Sequence, residues 1–217
     1  LNRAVSPAEF VPMVEQSELV SDLGKYVIDQ VFAQIAQWKR LDYDIPKVAI
    51  NISPKHLLSS NFKSDLMSLM SRHDVKARDI ELELTETCVM EEPEQAITLL
   101  RELKLQGFTL ALDDFGSGYS SFQYLRFMPF DKLKIDRMFV KELADNDSDK
   151  VIIHSLCAIA RDLKLVVLAE GVETQEQISV LKKQSVELAQ GYYYAKPLSA
   201  GSIGKILCAD KVVIGAN

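Results

Sequence analysis

Acidic and amide side chains near the ends of strand-like runs are the residues of this sequence best suited to chemistry. Asn51 ends one apolar run, and Glu83, the pair Asp113 and Asp114, and Glu170 lie at the ends of three others. Carboxylates packed close together repel each other and are costly to desolvate. Oxygen ligands of these types suit Mg²⁺ or Mn²⁺, which would compensate that repulsion. The pattern therefore indicates a site for divalent metal ions.

The runs that carry these residues have one apolar face and one polar face. In Ile80–Thr85 every second residue is aliphatic, which places Glu81 and Glu83 on the opposite face. The run Lys132–Asp136 repeats the alternation, with Lys134 on its polar face. An open parallel sheet covered on both faces has continuous aliphatic strands instead. A β/α barrel explains the alternation better, because helices cover its outside and the C-terminal strand ends form the active-site mouth.

Strand-like and helical runs alternate along the chain, which indicates parallel strands covered by helices. The predicted strands are Val48–Asn51, Ile80–Thr85, Phe108–Asp113, Leu133–Asp136, Leu165–Glu170 and Val186–Gln190. The predicted helices are a first one from Ser6 to about Val14, then Leu23–Trp38, Asn61–Arg72, Pro93–Leu105, Asp147–Asp162 and Thr174–Lys183. About six strands could also form a doubly wound sheet, whereas a complete barrel takes about 250 residues. We expect one domain over residues 1–217, of the α/β class, in the form of a barrel that lacks its N-terminal strands.

Composition and charge exclude several other classes of protein. Hydrophobic residues make up 47% and charged residues 26% of the chain, which is typical of a folded globular domain. The net charge of −6 argues against duplex DNA or RNA as a partner. No apolar run approaches the roughly 20 residues of a membrane helix, so we expect no membrane contact by this domain. Three scattered cysteines suit a reducing cytosol, and we expect a cytoplasmic domain, whose parent protein could tether it to the inner membrane.

Each of these signals has a purely structural alternative when it is taken alone. Glu83 alone is typical of a solvated edge residue, and Lys134 alone of a surface lysine. The run Asp113–Gly118 alone fits an Asp turn with glycines that permit a tight backbone. The run Ala169–Glu173 alone fits a strand end followed by a helix cap. Four such features at the same end of successive strands favour a functional site over coincidence.

The motifs, in this order, resemble those of the EAL domain, a bacterial phosphodiesterase family that hydrolyses cyclic di-GMP. The matching strings cover nearly the whole chain, and the strings Asp-Asp-Phe-Gly-Ser-Gly-Tyr-Ser-Ser and Ala-Glu-Gly-Val-Glu are together highly specific. The matches are Ser6–Phe10, Asn51–Ser53, Glu83–Glu86, Asp113–Ser121, Leu133–Asp136, Ala169–Glu173 and Gln190–Tyr192. The resemblance implies a TIM-like (β/α) barrel with two Mg²⁺ or Mn²⁺ ions at its mouth. It also implies hydrolysis of cyclic di-GMP to linear pGpG by a two-metal mechanism.

The resemblance further implies a role for each matching position. Asn51, Glu83 and Asp113 would bind one ion, and Asp113 would bridge to a second ion that Asp114 and Glu170 also bind. Lys134 would orient the attacking water or the scissile phosphate, and the expected catalytic residues are therefore Lys134, Glu170 and Asp114. The expected substrate-binding residues are Gln190, Glu173 and Asp136. The expected site-shaping residues are Glu86, Phe115, Gly116, Ser117 and Gly118.

The Glu-Ala-Leu motif that names the family does not occur upstream of Ser6-Pro7, where the family carries it. Its glutamate is a metal ligand in the family, so we expect residues 1–217 alone to hydrolyse cyclic di-GMP far more slowly than a complete domain. We expect an N-terminally incomplete domain, excised from a multidomain signalling protein with GGDEF or sensor domains, and a homodimer is a further expectation. Two alternatives stay open. One is a catalytically inactive cyclic di-GMP receptor that uses the same pocket, and the other is an unrelated metal-dependent barrel enzyme.

Overall fold

The computed structural model describes residues 6–15, 17–116 and 125–208. Six strands form one sheet in which all neighbouring strands are parallel. They are β1 Val48–Asn51, β2 Ile80–Thr85, β3 Thr109–Phe115, β4 Lys132–Ile135, β5 Val166–Ala169 and β6 Leu188–Ala189. Among the described residues the spatial order follows the chain order from β1 to β6, without the reversal of a doubly wound sheet. The sheet is a curled half-barrel, and the predicted α/β barrel class is confirmed.

Helices lie before β1, in most of the connections between the described strands, and after β6. They are α1 Pro7–Glu15, α2 Val20–Arg40, α3 Pro54–Leu57, α4 Phe62–His73, α5 Glu86–Met90, α6 Pro93–Leu105, α7 Arg137–Lys141, α8 Asp147–Asp162, α9 Gln175–Lys183 and α10 Ala200–Cys208, with a 3₁₀ turn at Ala77–Asp79. In the part of the chain that the structure describes, no helix has the length and apolar character needed to cross a membrane.

The predicted elements are present, with boundaries that differ by a few residues. Helices α6 and α8 have the predicted bounds, whereas β6 contains only two residues of the predicted strand. The short helices α3, α5, α7 and α10 were not predicted. Helices α5 and α7 begin directly after strands, where Thr85 and Asp136 act as N-caps that accept hydrogen bonds from backbone N–H groups. Five residues are too few to show a helical repeat of apolar positions, so the sequence pattern did not reveal these two helices.

The hydrophobic core lies between the sheet and the helices that cover it. The aliphatic residues of β2, which are Ile80, Leu82 and Leu84, are fully buried there. Helix α2 contributes Phe32 and Ile35, both with no exposed surface. The predicted alternation is therefore correct: the aliphatic side chains of these strands pack against the helices, and the polar side chains point to the inside of the half-barrel. The site is formed by those inward-facing polar side chains.

Helices α2 and α3 meet at Gly24, which lies against the ring of His56. A Cβ atom on Gly24 would lie 2.1 Å from Nδ1 of His56, so only glycine permits this approach. The His56 ring is buried and stands edge-on to Phe62, with ring centroids 4.9 Å apart. Burial lowers the pKa of His56 below its ordinary value. This histidine therefore contributes to packing.

Candidate active site

The C-terminal ends of the strands bring the acidic residues to one mouth of the half-barrel. Asn51 of β1 is the register partner of Glu83 in β2, and Thr85 of β2 is the partner of Asp113 in β3. Glu170 directly follows β5, and its N–H donates to the carbonyl of Ile135 at the end of β4. Because neighbouring parallel strands end side by side, Glu83 and Asp113 lie at the same end of the sheet, as the sequence predicted.

Lys134 of β4 lies at the centre of this acidic group. Its Nζ is 2.9 Å from Oε1 of Glu83, 3.0 Å from Oδ2 of Asp113 and 2.7 Å from Oε1 of Glu170. The Lys134 side chain is only 3% exposed. Burial alone would lower the pKa of this ammonium, but the neighbouring carboxylates outweigh burial and raise it above the ordinary value. Lys134 is therefore a fixed, buried positive charge and not a surface lysine.

Strand β3 is irregular at the point where it carries two consecutive aspartates. The register between β3 and β4 shifts between Leu112 and Phe115, and Asp114 has a φ of 53°. Aspartate is among the residues that tolerate this left-handed conformation. Successive side chains of a regular strand point to opposite faces, whereas an irregularity of this kind can redirect one of them. Both carboxylates consequently reach the same mouth.

Asp113, Asp114 and Glu170 form a group that fits a divalent metal ion. Each offers a carboxylate oxygen, and these oxygens lie within 4.8 Å of one another. Burial and then the charge of Asp113 raise the pKa of Asp114 to about 6. Burial also raises the pKa of Glu83 and that of Glu170, although Lys134 opposes both shifts. Four carboxylates share this mouth with the Lys134 ammonium, and a hard cation would neutralise the excess negative charge.

The three predicted substrate-binding residues lie on the loops that surround this group. Gln190 donates from Nε2 to Oε1 of Glu170 at 2.9 Å. Asp136 caps α7, and a hydrogen bond with Asp136 contributes to the raised pKa of Asp114. Glu173 accepts from Nη2 of Arg137 at 2.7 Å. Gln190 and Asp136 therefore contact the acidic group, whereas Glu173 pairs with Arg137, and the contact of all three with a substrate stays a prediction.

The predicted site-shaping residues are only partly within the described structure. Glu86 is buried and is the first residue of α5. Phe115 is buried at the end of β3, and Gly116 follows it with a φ of 92°, close to the ring of Phe139. The remaining two, Ser117 and Gly118, lie outside the described residues.

Other polar residues near the site were not singled out from the sequence. Lys132 binds both carboxylate oxygens of Glu81 at 2.7 Å, in the layer below Lys134. The same alternation that places Lys134 and Glu83 inside the half-barrel could have predicted this pair. Arg137 and Gln177 contact the loop that follows Glu170. The spacing of Gln177 from Thr174 could have predicted a helix cap, but not its contact with α7.

The fold and this mouth together define a class: parallel α/β barrel proteins with an acidic mouth that suits divalent metal ions. Residues 1–197 match the family model described as the EAL domain. The chain therefore belongs to the EAL domain family, and the family predicted from the sequence motifs is confirmed.

Relatives and solved structures agree with this assignment. The cyclic di-GMP phosphodiesterase PdeR of Escherichia coli is 33% identical over 196 residues, which are 90% of this chain and 30% of PdeR. The bifunctional diguanylate cyclase/cyclic di-GMP phosphodiesterase MucR of Pseudomonas aeruginosa is 31% identical over 196 residues, which are 90% of this chain and 29% of MucR. The chain thus spans less than a third of the length of these two relatives.

Two solved structures are similar to the half-barrel. The structure of the MucR phosphodiesterase in complex with c-di-GMP has a TM-score of 0.86 at 31% identity and covers 92% of this chain and 81% of its own. The manganese/cy-diGMP complex of Klebsiella pneumoniae BlrP1 has a TM-score of 0.75 at 29% identity, with coverage of 83% and 46% respectively. Both solved structures are complexes with a cyclic dinucleotide, and the second also contains manganese.

Proposed function

We propose that the chain is a phosphodiesterase that hydrolyses one phosphodiester bond of cyclic di-GMP and yields linear pGpG. The observation that carries this proposal is the buried Lys134 ammonium, held by three carboxylates at the mouth of the half-barrel. A phosphodiester is an anion, and a fixed cation among metal-ligating oxygens suits its recognition. The named activity of PdeR and the c-di-GMP complex of MucR support the choice of substrate.

Divalent metal ions are part of this proposal, because the donor set fits them. Asn51, Glu83 and Asp113 would hold one ion, and Asp113, Asp114 and Glu170 would hold the second. Bound there, the ions would activate water and stabilise the attacking and leaving oxygens. The oxygen-rich donor set suits Mg²⁺ or Mn²⁺, and the manganese complex of BlrP1 supports Mn²⁺.

The residues of the chain itself would position the substrate and offset its charge. Lys134 would orient the attacking water or the scissile phosphate, since three carboxylates already position its ammonium at the mouth and metal ions bound to those carboxylates would release its N–H donors. Gln190 donates from Nε2 to Glu170, which leaves its Oε1 available to accept from a guanine N–H. Glu173 and Asp136 would accept further hydrogen bonds from the guanine end.

The test is product analysis. The 217-residue chain is incubated with cyclic di-GMP and saturating Mn²⁺, and the nucleotides are separated by chromatography. The proposal predicts that pGpG accumulates in proportion to the amount of protein. Binding of cyclic di-GMP without any pGpG would support a receptor instead, and the absence of both would refute the substrate assignment.

We also propose that this single domain, residues 1–217, works in the cytoplasm as part of a longer signalling protein with GGDEF or sensor domains. The bifunctional name of MucR and the small share of its length that aligns support this arrangement. A homodimer is part of the same proposal. Light scattering during gel filtration would show a dimer mass if it is right and a monomer mass at all concentrations if it is wrong.

A further inference from the structure

Gln177 is a buried glutamine of α9 whose side-chain amide makes four hydrogen bonds. The residue is only 5% exposed. Its Oε1 accepts from the N–H of Glu173 at 2.7 Å and from the N–H of Thr174 at 3.0 Å. Its Nε2 donates to the carbonyl of Val140 at 3.0 Å and to that of Lys141 at 3.1 Å. Both donors and both acceptor positions of the amide are therefore used.

The two ends of this amide serve different elements. The Oε1 end belongs to a capping box with Thr174, in which a glutamine at the third helical position satisfies N–H groups at the start of α9. The Nε2 end leaves α9 altogether and reaches the carbonyls in the last turn of α7. Capping of α9 requires only the first end. The second end needs another explanation.

The connection from α9 to α7 joins the two segments that carry Lys134 and Glu170. Helix α7 begins directly after Asp136, two residues beyond Lys134, and the loop after Glu170 runs straight into the cap at Thr174. The Lys134–Glu170 contact at 2.7 Å therefore depends on how these two segments are placed relative to each other. The β4–β5 ladder and the hydrogen bond from the Glu170 N–H to the Ile135 carbonyl join the strand ends, and Gln177 adds a connection between the segments that follow them.

A second side-chain contact between the loop after Glu170 and α7 is weaker. Nη2 of Arg137 lies 2.7 Å from Oε1 of Glu173, but the two side chains are 57% and 42% exposed. Solvent screens an ion pair this exposed, so it contributes little. The Arg137 stem also lies over Gly171, where a Cβ atom would come within 2.3 Å of Cγ of Arg137. The absence of a Cβ atom on Gly171 permits this close approach, whereas the buried amide of Gln177 adds four hydrogen bonds between the loop and α7.

We infer that Gln177 is a positioning residue, which holds Glu170 against Lys134 and within the metal-ligating group by tying the loop of Glu170 to α7. The inference rests on the proposed function, because it adds a residue on which that reaction depends. Side chains that orient metal ligands typically change metal affinity or activity about 10- to 100-fold when they are replaced. Gln177 would act in this way without touching the substrate or the metal.

Two substitutions separate this role from helix capping. Gln177→Glu keeps an acceptor at the third position of α9, where glutamate caps as well as glutamine, but it removes the donor to Val140 and Lys141. Gln177→Met removes both ends while keeping the length of the side chain. Gln95→Met is the matched control, because Gln95 is an exposed glutamine in the first turn of α6.

Two properties of the 217-residue chain are measured below the melting temperature of every variant. The first is Mn²⁺ affinity, from the electron paramagnetic resonance signal of free Mn²⁺, and the second is turnover of cyclic di-GMP at saturating Mn²⁺. We expect both Gln177 variants to bind Mn²⁺ about 10-fold more weakly and to turn over about 10- to 100-fold more slowly. The Gln95→Met variant should match the original chain in both.

The outcomes separate the inference from the proposed function. If Gln177→Glu stays within about twofold of the original chain in Mn²⁺ affinity and turnover, Gln177 only caps α9 and the inference is wrong. If the original chain binds Mn²⁺ but never cleaves cyclic di-GMP, the proposed function is wrong. In that case the Mn²⁺ titration of Gln177→Glu alone still supports or overturns the positioning role.

Discussion

Lys134 is a positive charge buried among carboxylates. Replacing it should affect catalysis and metal binding to different extents. Lys134→Ala should lower turnover by about 10²- to 10³-fold, the usual effect of losing a preorganised electrostatic group. Affinity for Mn²⁺ should stay within a few-fold, because the carboxylates remain and lose a competing cation. Turnover is measured at saturating Mn²⁺, with Mn²⁺ affinity measured in parallel.

The control for this change lies two residues earlier on the same strand face. Lys132 pairs with Glu81 below the mouth, so Lys132→Met should lower the melting temperature but leave turnover of the folded protein nearly unchanged. Equal losses of turnover in both variants would contradict a special role for Lys134.

Asp113 belongs to both proposed metal groups and also contacts Lys134. Asp113→Asn removes one charge without changing the shape of the side chain, and we expect it to abolish measurable turnover of cyclic di-GMP. Asp145→Asn, at an exposed position outside the acidic group, is the matched control and should retain full turnover. Near-normal turnover in the Asp113→Asn variant would refute the two-metal assignment.

The chemical types at the site could be predicted from the sequence, but their partners could not. Strand alternation indicated that Glu83 and Lys134 face inward, and the motif strings indicated the roles. The contact of Lys134 with three carboxylates requires the register of several strands, which no local pattern encodes. The same holds for Gln177, because its partners in α7 lie more than 30 residues away in the chain.

At the scale of the elements, the packing of α2 on α3 depends on Gly24. Alanine in a helix is normally more favourable than glycine by about 1 kcal/mol. A Cβ atom on Gly24 would overlap the His56 ring, and overpacking typically costs about 1–3 kcal/mol. We therefore expect Gly24→Ala to lower the free energy of unfolding, measured by denaturant titration.

A matched glycine in α10 provides the control for this prediction. A Cβ atom on Gly201 would meet nothing within 4 Å, so Gly201→Ala should leave stability unchanged or raise it slightly. If Gly24→Ala were as stable as Gly201→Ala, the close approach of α2 and α3 would be wrong.

The buried His56 also predicts how stability changes with pH. Burial lowers the pKa of His56 below the ordinary 6.5, so the unfolded chain binds the proton at a higher pH than the folded chain does. The contribution is fully present above pH 6.5 and is lost as the pH falls through 6.5 towards the folded-state pKa. His56→Gln should show a smaller loss of unfolding free energy between about pH 7.5 and about pH 5.5. His154→Gln, at an exposed histidine, should show the same loss as the original chain, and an equal loss in all three would contradict this account.

The long elements could be predicted because they repeat a pattern, and the short ones could not. Helices α6 and α8 repeat apolar positions over several turns, and a proline begins α6 whereas Asn146 caps α8, so both bounds were predicted correctly. Strand β6 has only two residues, since only Leu188 and Ala189 pair with β5. The apolar pattern of the sequence does not show where this pairing stops. The irregularity of β3 at Asp114 also has no local signal.

For the molecule as a whole, the stability of the folded chain depends on whether a metal ion offsets the repulsion among the carboxylates at the mouth. Close carboxylates without a cation repel each other, which destabilises the folded chain. A ligand that binds only the folded state stabilises it by about 2.7 kcal/mol at a concentration 100 times its dissociation constant. We therefore expect Mn²⁺ to raise the melting temperature and a chelator to reverse the rise. The Asp113→Asn variant should show a much smaller increase, and an equal increase would place the metal elsewhere.

Product formation under metal control is the most direct test of the central claim that this EAL-domain chain is a metal-dependent cyclic di-GMP phosphodiesterase. The 217-residue chain is given cyclic di-GMP with Mn²⁺, with a chelator, and with the chelator followed by excess Mn²⁺, and pGpG is measured over several hours. We expect pGpG with Mn²⁺, none with the chelator, and recovery when Mn²⁺ is restored. Cyclic di-GMP that binds but stays intact with Mn²⁺, or is cleaved equally well in the chelator, would contradict the claim.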